Sequence, residues 1–301
     1  MAGFKVAFIG LGSMGGGMAR VLLKAGLDVA GYDVDPAREE AFRAEGGVAL
    51  TPEALDADAV LFMVVNAAQV EELLFMPGRF GADGIAGQLG DDSVVINCAT
   101  VAPAFAVAMG ERLGLSRYVD APVSGGTARA AEGDLTILAS GSPEAFARAE
   151  PVLEPLAVKV YRLGDAPGRG SAMKVVNQLL AGVHIAATAE AITFGMTQGL
   201  EPEQIVSIIS ECAGNSWMLG NRGPHIVKGD YTPLSAVDIF VKDLGLVSDI
   251  AHASRFGAPL TAAALQQFLA ASGSGLGRED DAAVAKVYAR NAGLTLPGMT
   301  S

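Results

Sequence analysis

The run Lys5–Ile9, followed at once by Gly10-Leu11-Gly12-Ser13-Met14-Gly15 and an amphipathic stretch to Lys24, constrains the fold of this chain more than any other feature. A β-branched and apolar run feeding glycines at that spacing reads as strand, tight turn and helix, the helix spanning Met14–Lys24. Gly10 allows the turn, Gly12 lets the backbone come close to a bound group, and Gly15 lets the helix press on the strand. The helix start offers unsatisfied N–H groups and partial positive charge, which suits a phosphate. Alone, such a hexapeptide also occurs in turns that bind nothing. Its position between strand and helix gives it weight.

The alternation continues. Leu27–Tyr32 reads as a second strand, then a helix opened by Pro36, a strand at Ala59–Val65, a helix from Ala67 and a strand at Ser93–Cys98. Strands alternating with helices of this length imply βαβ units and a parallel sheet. Ser142 and Pro143 suit the N-cap and first position of a later helix. The character changes at the Gly- and Pro-rich loop 164–170. Beyond it Ser171–Gly199 is apolar around most of its circumference, which predicts burial between other elements, and helical patterns follow at 202–212, 236–256, 259–271 and 279–291. The 301 residues exceed what one core usually serves. The expected architecture is α/β: a Rossmann-type, doubly wound domain over residues 1–165, then an all-α domain over 166–301 built on a long interdomain helix.

The formal charge of −12 excludes nucleic acid and anionic membrane surfaces as expected partners, and obliges any anionic substrate to find a local cluster of donors. Cys98 and Cys212 have no CxxC spacing, and His184, His225 and His252 are scattered, so no metal is expected. The chain enters a strand-like run almost immediately, without the pattern of a signal peptide. The longest apolar stretch, Leu179–Met196, carries His184 and Glu190 and reads as a core helix rather than a membrane span. A cytoplasmic location is expected.

Asp33 ends the second strand, 23 residues after Gly10. A carboxylate there can bond both ribose hydroxyls of NAD, whereas the 2′-phosphate of NADP would meet Asp33 and Asp35. NAD is the expected cofactor, with Arg38 the nearest opposing charge.

With those residues in place, Phe8-Ile9-Gly10-Leu11-Gly12-Ser13-Met14-Gly15 resembles the opening signature of the β-hydroxyacid dehydrogenases, the 3-hydroxyisobutyrate dehydrogenase family. Three later segments agree in order: Asp120–Gly126 (DAPVSGG), Gly168–Gln178 (GRGSAMKVVNQ) and Phe240–Leu244 (FVKDL). The resemblance implies that Gly10, Leu11, Gly12, Ser13, Met14, Gly15 and Asp33 hold the dinucleotide, joined by Val65, Asn66, Thr100 and Lys242. It implies that Ser124, Gly125 and Gly126 hold the substrate carboxylate, and that Lys174 is the catalytic proton-transfer residue. On sequence physics alone, Ser124-Gly125-Gly126 reads first as an ordinary glycine turn. On the same grounds Lys174 reads first as a lysine reaching from the helix end to water; burial in an apolar helix start would instead lower its pKa toward a useful range. Asn66 and Thr100 could be turn and cap residues, and Lys242 a solvated charge. Asn177 and Gln178 share the helix face of Lys174, and either amide could hold the lysine or the substrate. Some family members carry Asn where this chain has Gln178.

The runs Val64–Gln69, Gly214–Met218, Gly229–Pro233 and Ser235–Phe240 resemble the branch of the family that oxidises the four-carbon sugar acid L-threonate at C2. Asn215, Ser216, Trp217 and Asn221 are candidate polyol contacts, or the end of a helix around one buried tryptophan. 3-Hydroxyisobutyrate, tartronate semialdehyde and glycerate are the alternative substrates, and a non-catalytic dinucleotide-binding module is the reading from another class. Imine reductases on a related fold typically lack the lysine found here at 174. The apolar surface of the long helix implies a homodimer or homotetramer.

Overall fold

The computed structural model describes residues 3–52 and 55–299. It divides into two compact units, Met1–Lys174 and Val175–Ser301, a division that falls inside the long helix rather than in the loop before it. In the first unit the order is β1 (Lys5–Ile9), α1 (Gly15–Lys24), β2 (Asp28–Tyr32), α2 (Pro36–Ala44), β3 (Val48–Ala49), β4 (Ala59–Phe62), α3 (Ala67–Phe75), β5 (Val94–Asn97), α4 (Pro103–Leu113) and β6 (Tyr118–Asp120). These strands form a wholly parallel six-stranded sheet in the order β3-β2-β1-β4-β5-β6. Parallel sheets need cover on both faces, and β1 shows it. Val6 and Phe8 point into one core with Met18, Leu22 and Leu153, while Ala7 and Ile9 point into the other with Val70, Leu74 and Met109. The expected Rossmann-type unit is present.

β4 is shorter than its apolar run. Its last rung is Met63 N–H to Ile9 O, and beyond Ile9 the neighbouring strand becomes the glycine loop, which offers no ladder to Val64 and Val65. A second, three-stranded sheet follows, which periodicity did not reveal because its first strand is only two residues long. It comprises β7 (Val123–Ser124), antiparallel to β8 (Leu135–Ala139), which pairs in parallel with β9 (Ala157–Arg162); α5 (Gly126–Glu132) and α6 (Pro143–Leu156) connect them. Ser142 caps α6 as expected, accepting from the Ala145 N–H at 3.1 Å.

The long helix α7 spans Arg169–Thr197, and the second unit continues with α8 (Pro202–Ser210), α9 (Trp217–Lys228), α10 (Val237–Ala253), α11 (Pro259–Ala271) and α12 (Ala285–Asn291). Ile185, Ala189, Ile192, Phe240, Leu244 and Phe268 build its core, and Gly182 lets α7 and α10 approach: a Cβ there would lie 2.7 Å from Leu244. The helix expected over 279–291 is broken into a 3₁₀ turn, Asp281–Val284, and α12, because the Asp280 side chain turns back to cap Ala282 N–H. α7 is less enclosed than its composition implies: Met173, Val176, Leu180 and Phe194 are exposed within this chain. Trp217 is 56% exposed, so it is no buried anchor.

Candidate active site

The strand order reverses between β1 and β4, and the loops leaving those two strands meet at their carboxyl ends, the place where open α/β sheets bind ligands. Gly10 has φ +96°, and a Cβ on it would sit 2.4 Å from the Met63 carbonyl oxygen, so only glycine fits where the two loops touch. A Cβ on Gly15 would lie 1.8 Å from the Gly10 oxygen. Gly12 differs. Its missing Cβ would meet only the Arg38 guanidinium, at 3.1 Å, the far end of a flexible side chain. The loop thus presents bare backbone, Ser13 and Met14 leading into α1.

Asp33 is buried just after β2, and its carboxylate shapes this loop. Oδ2 accepts from Leu11 N–H at 2.7 Å and Oδ1 from Asp35 N–H at 2.9 Å. Arg38 reaches toward Asp33 at 3.5 Å and Asp35 at 3.6 Å, so the cation sits among the acids. A bare glycine cradle at a helix start, with a carboxylate fixed beside it, fits the pyrophosphate and ribose of a dinucleotide. After β4, Asn66 caps α3 through Gln69 N–H and Gln69 accepts from Val65 N–H, both at 2.9 Å. The cap role weighed for Asn66 is therefore real. Thr100 is half-buried beyond β5, two residues before Ala102, the N-cap of α4. Beneath it, Asn97 donates to the Tyr118 hydroxyl at 3.1 Å and accepts from Ala99 N–H.

β6 leads to the second cluster. Lys174 is buried, and its Nζ donates to the Val123 carbonyl at 2.8 Å. The next residue is Ser124, followed by Gly125 at φ +148° and Gly126 at φ +76°, backbone conformations that favour glycine and turn the chain into α5. Lys174 and the Ser124-Gly125-Gly126 turn are therefore brought together by one hydrogen bond. Asp120, quoted in the sequence motif but given no role, is fully buried in the same segment and bonded to the first turn of α7. Burial pushes its carboxyl above the ordinary range against the pull of those bonds.

Within the second unit, Gln178 and Lys242 meet on Asp243, a residue quoted in its sequence motif but given no role, and Asn177 is linked to it through Gln178. Asn177 Nδ2 donates to Gln178 Oε1 at 2.9 Å, and Gln178 Nε2 donates to the buried Asp243 carboxylate. Lys242 Nζ lies 2.8 Å from Asp243 Oδ1, so Lys242 is paired rather than merely solvated. The signal was the acid following Lys242, adjacent in sequence. The polyol candidates have structural partners instead: Asn215 donates to Ser210 O, Ser216 caps α9 through Leu219 N–H, and Asn221 accepts from Arg222.

A glycine-lined dinucleotide cradle, together with a buried lysine beside a glycine turn suited to a carboxylate, defines an NAD-dependent dehydrogenase of hydroxy acids. A family model described as the NAD binding domain of 6-phosphogluconate dehydrogenase matches residues 5–164, and one described as NAD-binding of NADP-dependent 3-hydroxyisobutyrate dehydrogenase matches residues 168–288. L-threonate dehydrogenase of Cupriavidus necator is 52% identical over 97% of this chain and 98% of its own length. L-threonate dehydrogenase of Escherichia coli K12 is 46% identical over 99% and 98%. A crystal structure of 3-hydroxyisobutyrate dehydrogenase from Salmonella typhimurium superposes with a TM-score of 0.87 at 47% identity, covering 94% of this chain and 99% of that one. The chain belongs to the β-hydroxyacid dehydrogenase family related to 3-hydroxyisobutyrate dehydrogenase.

Proposed function

We propose that the protein oxidises L-threonate at C2 to the 2-keto acid, using NAD and Lys174 as general acid/base. The observation that carries the reading is the Lys174 Nζ, buried and held 2.8 Å from the carbonyl one residue before Ser124. The two relatives named above support the substrate assignment through their names and near-complete coverage.

Ser124 hydroxyl and the N–H groups of Gly125 and Gly126 receive the substrate carboxylate, and the Asn177 or Gln178 amide receives a further hydroxyl. The Gly10–Gly15 loop, including Leu11, Ser13 and Met14, holds the pyrophosphate, and Asp33 holds the ribose hydroxyls. Val65, Asn66, Thr100 and Lys242 complete the dinucleotide site. The nicotinamide, when bound, supplies the hydride acceptor. Lys174 in its amine form takes the C2 hydroxyl proton, and the resulting ammonium is held by Val123 O; in reduction the same Nζ returns the proton. NAD is preferred because Asp33 and Asp35 meet a 2′-phosphate with like charge.

A panel containing both threonate enantiomers, 3-hydroxyisobutyrate, tartronate semialdehyde and glycerate tests the substrate, read as NADH formation or consumption. L-Threonate should give the highest kcat/KM; a higher value for another acid replaces the substrate, and no turnover with any acid makes the protein a binding module. The reading places the enzyme in the cytoplasm, as a homodimer or homotetramer; the exposed apolar residues of α7 support the oligomer alone.

A further inference from the structure

We propose that Asp120 is a positioning residue for Lys174, locking the first turn of α7 to the end of β6 so that the lysine amine stays in register with Ser124, Gly125 and Gly126. The inference rests on Lys174 being the proton-transfer group. Asp120 has no exposed surface and so acts through other groups rather than on substrate.

Both carboxylate oxygens are spent on the start of α7 and on its support. Oδ2 accepts from Gly168 N–H at 3.0 Å, Ser171 N–H at 2.8 Å and the Ser140 hydroxyl at 3.2 Å; Oδ1 accepts from the Ser171 hydroxyl at 2.6 Å. Ser140 Oγ in turn accepts from Gly170 N–H at 2.9 Å. Two buried side chains therefore satisfy N–H groups that a helix start leaves without intrahelical partners. The carboxylate also lies at the positive end of the helix dipole, where a negative charge is stabilised.

The backbone makes this attachment rigid. Asp120 and Ser140 exchange N–H to O bonds at 3.0 and 2.8 Å, tying β6 to the end of β8. Gly170 is pressed onto that junction: a Cβ there would lie 2.4 Å from Leu138 O and 2.7 Å from Asp120 O. Lys174 stands three residues after Ser171, and Val123 three after Asp120. The bonds Asp120–Ser171 and Val123–Lys174 are thus two rungs between one extended segment and one helix turn. Removing the first rung frees the helix turn that aims the second. The segment continues directly into Ser124, so the same lock sets the lysine against the carboxylate-binding turn.

The test uses the full chain with Asp120→Asn, Ser171→Ala, Lys174→Ala and each of the first two combined with the third. Asparagine is nearly isosteric, and Ser171 Oγ can turn to accept from its amide, so the fold should survive while one charge-assisted clamp is lost. Asp120→Asn should lower kcat about tenfold, the worth of one hydrogen bond to a charged group, with substrate KM within about twofold. Ser171→Ala should lower kcat about threefold, as loss of one of the rung's hydrogen bonds would. The dissociation constant for NAD, read by fluorescence quenching, should stay within about twofold, because Asp120 touches no group assigned to the dinucleotide. In single-turnover measurements on the Lys174→Ala background, neither change should cost more than about twofold further, since residues acting as one unit are not additive. A loss that repeats in full without Lys174, or NAD affinity falling in step with kcat, makes Asp120 merely structural and overturns the proposal; if Asp120→Asn does not fold, Ser171→Ala decides on the same readouts. Wild-type turnover by Lys174→Ala alone would sink the lysine reading, and the role of Asp120 with it. The single variant thus separates the two failures.

Discussion

In the sheet-containing unit, the buried acids Asp33 and Asp120 give their oxygens mainly to backbone N–H groups and serine hydroxyls, whereas in the helical unit Asp243 and Asp281 pair with amide and cationic side chains. Asp280 mixes the two habits, accepting from Leu234 and Ala282 N–H while lying 3.2 Å from His225 Nδ1. A carboxylate that takes backbone donors fixes the course of the chain, as the loop at Leu11 and the start of α7 show. One that takes a side-chain cation fixes only that side chain, and losing the partner strands a charge in the interior. The first unit therefore uses buried charge mainly to fix loops and a helix start, and the second uses it mainly to hold side chains of neighbouring elements.

The comparison breaks most sharply at Lys174, a cation of the first unit held by a backbone carbonyl. Lys174→Ala should lower turnover by roughly 10²–10⁴-fold, the range for a lost general acid/base, with NAD affinity retained. Turnover within a few-fold of wild type would reduce Lys174 to a packing residue.

Arg222 is the counterpart in the helical unit. It meets Asp281 bidentately, Nε to Oδ1 at 2.5 Å and Nη2 to Oδ2 at 2.9 Å, with both residues buried. Arg222→Met should destabilise the fold by about 3–5 kcal/mol, because Asp281 is left uncompensated, with a smaller loss when Asp281→Asn accompanies it. Burial already pushes the Asp281 carboxyl from an ordinary 3.8 up to about 6 despite the arginine. A raised carboxyl contributes stability that is full below the unfolded pKa and lost as pH rises through the folded one. Removing Arg222 raises that carboxyl further, so the penalty should shrink on going from pH 8 to pH 5 in denaturant titrations. A pH-independent penalty would show that Asp281 does not feel the arginine's charge.

How far each region could be read from sequence follows the same division. Gly10, Gly15 and Asp33 were legible because backbone geometry imposes residue types at fixed spacing, and spacing is visible in a string. Four strands of the six-stranded sheet were legible for a related reason, since strands covered on both faces leave apolar runs, whereas β3 and β6, two and three residues long, went unread. The Gln178–Asp243–Lys242 cluster was only half visible: each residue has ordinary neighbours, and their meeting depends on how α7 packs on α10 through Gly182. Asp120 was in view inside its motif, yet its partners come from the end of β8 (Ser140), the loop before α7 (Gly168) and the first turn of α7 (Ser171), which only the fold brings together. β7 left no periodic trace, being two residues long.

Asp33→Asn sharpens the comparison at the cofactor loop. The amide keeps one acceptor oxygen, while both Leu11 and Asp35 N–H groups need one, so the loop loses a bond as well as the charge that faces the ribose. NAD affinity should fall by about 1–2 kcal/mol, or roughly five- to thirtyfold, and NADP affinity less, since the charge facing its phosphate is gone as well. Calorimetric titration of both dinucleotides measures this directly. Equal losses would mean that Asp33 acts on the loop alone.

The smallest effect separates two roles within one residue. Asn66 holds α3 through Gln69 N–H, and Gln69 returns to Val65 N–H, a reciprocal cap requiring no ligand. Asn66→Ala should cost about 1 kcal/mol of stability, the usual worth of an N-cap, visible as a small drop in Tm. Asn66→Ser keeps an oxygen that can cap the helix and should restore the Tm, while its shorter side chain reaches less far beyond the helix. If Asn66 also meets the dinucleotide, NAD affinity will stay reduced in the serine variant after stability returns. If both recover together, Asn66 serves the first unit only as Ser142 does on α6, by starting a helix.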